Sequence, residues 1–137
     1  MADQPIPAHV ATFLNDQIDS VVQLEVLLTL HSAPQRAWSA AEIGRELRVD
    51  PEWVEAQMKY LAAHGLLSVE ARDPHPLYRF APAAPGLAQT VSDLARAYEQ
   101  RRVTVISMIY SRPVDPVRHL AEAFRIRGTS QEGPPHG

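Results

Sequence analysis

The sequence predicts a mainly α-helical fold holding two short helices joined by a tight turn and then a small β-hairpin. Three observations carry this. Ser39-Ala40-Ala41-Glu42 has the S-x-x-E spacing of a capping box, which starts a helix. Asp50-Pro51 supplies a second N-cap with a proline at the first helical position, where its missing N–H costs nothing. Leu66-Leu67-Ser68-Val69 and Leu77-Tyr78-Arg79-Phe80 are strand-like runs around the turn-rich Arg72-Asp73-Pro74-His75-Pro76. Helix, turn, helix, hairpin is the order of a winged helix, with a two- or three-stranded wing.

Each element has its own signal along the chain. Met1–Pro7 is expected to be disordered. Ala8 to about Ile18 reads as a helix, with Phe13, Leu14 and Ile18 apolar. Ser20-Val21-Val22-Gln23 has the S-x-x-Q spacing, so a fresh helix is expected from Val21 to His31, with Val21, Leu24, Leu27 and Leu28 as its stripe. One continuous helix over 8–31 is the competing reading, and Ser32-Ala33-Pro34 ends either. The capped helix after Ser39 places Ile43 and Leu47 on one face. The next places Val54, Met58 and Leu61 at i, i+4 and i+7 and stops at Gly65. Pro82 and Pro85-Gly86 separate the hairpin from a long helical segment, Leu87–Tyr110, on the order of 35 Å at 1.5 Å per residue. Pro113 stops it. Asp115-Pro116 then starts a last short helix lined by Val117, Leu120 and Phe124 and closed by Gly128, ahead of a frayed tail. The expected organisation is therefore a disordered 1–7, a winged-helix domain with its N-terminal helix over 8–81, a C-terminal helical dimerisation segment over 87–127, and a disordered 128–137.

Ala37-Trp38-Ser39-Ala40-Ala41-Glu42-Ile43 resembles the strand-to-helix entry of bacterial winged-helix regulators. Val54, Met58, Leu61, Gly65, Leu66 and Leu67 resemble the end of a MarR-like or PadR-like recognition helix. The resemblance covers roughly residues 20–81 and is specific to the superfamily. It implies a DNA-binding regulator of transcription.

Composition bounds the function. The chain of 137 residues has 45% hydrophobic residues and no cysteine, so disulfides, thiolate metal sites and cysteine nucleophiles are excluded. Met1–Pro7 has no basic or apolar stretch of a signal peptide. The longest apolar run, Val103–Tyr110, is far below the ~20 residues that span a bilayer, so the expected location is cytoplasmic. The net charge is −3, unevenly spread: −4 over residues 1–35, −1 over 36–81 and +3 over 82–127. The C-terminal third, not the helix-turn-helix, is the basic part. The six histidines show no H-x3-H or H-E-x-x-H spacing, and no phosphate loop or nucleophile motif occurs. No enzyme, metal or cofactor is indicated.

The candidate functional residues fall into three sets. With Val54, Met58 and Leu61 inward, the second helix of the motif turns Glu52, Glu55, Ala56 and Lys59 outward. Arg45 and Arg48 flank the first helix, and Arg72, His75 and Arg79 occupy the hairpin. These nine are the candidate DNA contacts, the basic ones for phosphates. A glutamate can accept from cytosine N4, yet two glutamates beside Asp50 oppose a polyanion. Glu52 and Glu55 are equally read as solvent-facing acids at the positive end of their own helix. Trp53, Gln57 and Tyr60, with His64, form a second stripe, either packed on a neighbouring helix such as Leu87–Tyr110 or exposed for a protein partner. Leu87, Val91, Leu94, Tyr98, Val105 and Met108 recur at steps of four and three with Arg101 in the seam, and Val103, Ile106 and Ile109 widen it. This is the candidate homodimer interface. The leading expectation is a homodimeric DNA-binding regulator; the alternative is a winged-helix adaptor or anti-regulator that binds protein instead.

Overall fold

The computed structural model describes residues 6–111; the expected helix after Asp115 and both expected disordered ends, save Ile6 and Pro7, lie outside that range. Six helices and one hairpin follow in order: α1 Ala8–Gln17, α2 Val21–Ser32, α3 Ala40–Leu47, α4 Pro51–Ala63, β1 Leu67–Glu70, β2 Leu77–Phe80, α5 Leu87–Gln100 and α6 Arg102–Ser111.

The chain breaks between α1 and α2, because Ile18 is extended and Ser20 caps the new helix by accepting from the Gln23 N–H at 3.1 Å. Only half of the expected capping box forms there. The Gln23 carbonyl accepts from the Asp19 N–H at 2.9 Å, and its amide donates to Gln57 Oε1 at 2.8 Å, tying α2 to α4. The box at α3 is complete: Ser39 Oγ accepts from Glu42 N, and Glu42 Oε1 accepts from Ser39 N. Asp50 Oδ1 accepts from the Glu52 N–H at 2.9 Å to start α4.

Two glycines are held by geometry. Gly44 is buried where α3 meets the following turn, and a Cβ there would stand 2.6 Å from the Val49 carbonyl oxygen. Gly65, at φ +80°, ends α4 with a Schellman pair: Gly65 N–H to Ala62 O and Leu66 N–H to Leu61 O. The chain thereby turns directly into β1.

β1 and β2 pair antiparallel in the register Leu67↔Phe80, Ser68↔Arg79, Val69↔Tyr78 and Glu70↔Leu77. Trp38 adds a single bridge to Tyr78 through two backbone hydrogen bonds of 2.7 Å, standing in for a third strand. The Trp38, Leu67, Tyr78 and Phe80 side chains are buried, which lays one face of the hairpin on the helices.

The expected single helix over Leu87–Tyr110 is two helices. Arg101, at φ −133° and ψ 52°, leaves the helical region; its N–H bonds Ala97 O, and its own carbonyl accepts Val105 N–H to begin α6. The run Val103-Thr104-Val105-Ile106 that follows the bend is wholly β-branched, which lowers its helix propensity. The bend gains burial. Both α5 and α6 pack on α1, and Val91, Leu94, Val105 and Ile109 enter one core with Val10, Phe13 and Leu14.

Candidate nucleic-acid interface

α4 is the element around which the candidate site is built. Its Val54, Met58 and Leu61 are fully buried, so one face is fixed on α2 and α3. The opposite face carries Glu52, Ala56, Lys59 and Ala63, all exposed. Its first turn is held by the Asp50 cap, and its approach to α3 by the glycine contact at Gly44.

The nine candidate contacts do not share one environment. Glu52, Ala56 and Lys59 lie on the outer face as expected. Glu55 does not: it is half-buried toward the hairpin, where the Tyr78 hydroxyl donates to its Oε2 at 3.5 Å. Burial, then the Glu55 charge, raises the Tyr78 pKa above its ordinary 10.0. Glu55 is thus a strut between α4 and β2. Arg79 is exposed on β2 opposite Ser68, and His75 is exposed at the hairpin tip. Arg72 is exposed but paired, donating to Glu70 Oε2 at 3.0 Å. Arg45 is exposed on α3. Arg48 caps α3 in the left-handed region at φ 62° and lines a cleft, so it stands apart from the outer face of α4. Among the described residues no ion pair is found for Arg45, Arg48, Lys59 or Arg79. The surface of the motif is therefore mixed in sign, with Glu46, Asp50, Glu52 and Asp73 exposed among these cations.

The second stripe lies on a helix whose main neighbours are α2, α3 and β1. Gln57 is bound to Gln23 of α2. Tyr60 stacks on His64 at 4.0 Å between ring centroids, and the His64 ring lies 2.8 Å from the Tyr60 carbonyl. Trp53 is 50% exposed. The seam expected to join two copies is spent inside one chain. Val91, Leu94, Val105 and Ile109 are core, Leu87 and Tyr98 pack against it, and Ile106 is half-buried.

Several polar residues that no motif announces tie the C-terminal helices to the rest. Tyr98 OH donates to Glu25 Oε2 at 2.8 Å, and Arg102 donates to the same oxygen at 3.2 Å. Burial, then the Glu25 hydrogen bond, pushes the Tyr98 pKa up to about 12. With Leu28, Leu47 and Arg48 these residues line an open cleft of about 480 Å³. His9 stands 2.8 Å from Asp93, and His31 stands 3.1 Å from Ser92 with its ring edge-on to Phe80. Each pair is 61 or more residues apart in sequence, beyond the reach of any local pattern. Gly44 alone left a trace, a glycine inside an eight-residue helix.

No protein-family model matches the chain, and no curated protein matches it significantly. Solved structures do. A mutant of MepR from a multidrug-resistant S. aureus isolate superposes over 90% of this chain and 88% of its own, with a TM-score of 0.51 at 12% identity. The fold is a winged helix, like that structure. A MarR-family protein of Mycobacterium tuberculosis (TM-score 0.48, 20% identity, 89% of this chain and 83% of that one) is also similar. So is BpsR of Bordetella bronchiseptica (0.48, 20%, 90% and 85%), whose DNA binding is regulated by 6-hydroxynicotinic acid. In the winged helix, α3 and α4 are the helix-turn-helix, β1 and β2 are the wing, and Trp38 is the remnant of the strand before α3.

Proposed function

We propose that this winged helix is a DNA-binding regulator of transcription, acting as a homodimer in the cytoplasm. The observation that carries the reading is the bare outer face of α4, seated by its buried face and standing beside a wing whose Arg79 has no ion pair among the described residues. A helix presented in this way enters a major groove, and cations around it hold phosphates. Lys59 on α4, Arg79 on the wing and Arg45 on α3 supply them; Arg72 joins them only by leaving Glu70. Self-association is supported by Val103 and Tyr110, seven residues apart on α6 and 76% and 74% exposed.

The test is a titration with duplex DNA from the chain's own genomic neighbourhood at two salt concentrations. Arg79→Ala and Lys59→Ala should each weaken binding and shrink the salt slope by about one. No binding to such DNA at low salt retires the reading. A second reading, an adaptor that binds a protein through the same face, is supported by Trp53, a half-exposed tryptophan beside Glu52. It predicts a partner lost with Trp53→Ala and DNA binding indifferent to the wing.

A further inference from the structure

We propose that Glu52 sets the sequence preference of this winged helix by accepting a hydrogen bond from cytosine N4 in the major groove, an inference that rests on the DNA-binding reading above. Glu52 lies in the first turn of α4, on its outer face, and the N-terminal residues of a recognition helix are those that reach base edges. Its backbone N–H is taken by Asp50. Its carboxylate has no hydrogen-bond or ion-pair partner among the described residues, so it is available to a ligand.

The chemistry then selects the base. A carboxylate only accepts, and the major groove offers two donors, cytosine N4 and adenine N6; its other polar edge atoms are acceptors. Adenine places the N7 acceptor beside N6, against the second carboxylate oxygen. Cytosine places a C–H there. Cytosine is therefore favoured, and every base without a donor leaves a dehydrated carboxylate unpaired, which costs more than a lost contact. One turn along, Ala56 offers only a methyl group, which suits the methyl of thymine. Lys59 lies seven residues after Glu52 on the same face and suits a phosphate as a point charge. No arginine stands on this strip.

The experiment is selection of bound sequences from a duplex library randomised across its central segment, using the full chain and its Glu52→Gln and Glu52→Ala variants. The wild type should enrich a fixed cytosine, whose replacement weakens binding by roughly tenfold. Glu52→Gln should move that position to adenine, because an amide pairs with both N6 and N7. Glu52→Ala should leave the position undefined. Thermal melts of both variants, expected to fall slightly with the loss of a charge at the positive end of α4, separate folding from base preference. Identical enriched sequences for all three proteins overturn the proposal while leaving DNA binding intact, and so does a wild type that binds duplex without enriching any sequence. A wild type that binds no duplex removes the DNA-binding reading itself, and the proposal with it.

Discussion

Two residues at the C-terminal half of α3, Gly44 inside the helix and Arg48 at its cap, should respond to substitution in opposite directions. Gly44 has no room for a side chain: a Cβ would meet the Val49 carbonyl at 2.6 Å and Pro51 at 3.4 Å, and backbone cannot swing aside. Gly44→Ala is expected to destabilise the fold by about 1–3 kcal/mol, the usual range for overpacking a filled interior. Arg48 sits at φ 62°, where a Cβ crowds its own backbone. Arg48→Gly should relieve that and, after the larger entropy of an unfolded glycine, gain roughly 0.5–1 kcal/mol. Urea denaturation of the two variants beside the wild type checks both signs. A neutral Gly44→Ala would mean that the turn yields more easily than its contacts imply.

At the scale of the element, α5 is fastened to α1 and α2 by two histidine contacts that respond to acid in different windows. Burial holds His31, between Ser92 and Phe80, below its ordinary value of 6.5. The folded state therefore keeps it neutral while the unfolded chain takes up a proton. The stability it supports is complete above 6.5 and declines as pH falls below 6.5 toward the lower folded value. Asp93 is held below 3.8, first by the His9 hydrogen bond and then by that of Gln89. Its contribution is present above 3.8 and is lost only as pH drops through the depressed value. His31→Gln should flatten the decline in urea midpoint just below pH 6.5 and leave the more acidic limb in place. An unchanged slope in that variant would show that another group titrates there.

For the whole molecule, the bend at Arg101 decides which apolar residues hold one chain together and which stay exposed. Leu94 is fully buried within one protomer, so Leu94→Ala should cost roughly 2–5 kcal/mol of folding stability. Val103 and Tyr110 are exposed, so Val103→Glu with Tyr110→Glu should leave the melt nearly unchanged and reduce self-association. Sedimentation at several protein concentrations separates the two effects. A dimer that survives the α6 changes places the self-contact elsewhere.

Much of this protein is written locally. The Ser39–Glu42 box, the Asp50-Pro51 start, the Gly65 stop and the 66–80 hairpin follow from caps, prolines and glycines acting within a few residues, and each forms as its own sequence dictates. The outward placement of Glu52, Ala56 and Lys59 follows from 3.6-residue periodicity once the buried stripe is known. Tertiary packing decided the rest. Glu55 has the spacing of a surface residue but turns to Tyr78 of β2, and Gln57 turns to Gln23. The seam of Leu87–Ile109 repeats as a dimer helix does, yet Arg101 bends it so that α1 covers it. Periodicity records which face is apolar and carries no sign of what covers that face. An apolar stripe is satisfied equally by its own chain or by a copy, and only the bend at Arg101 chooses between them.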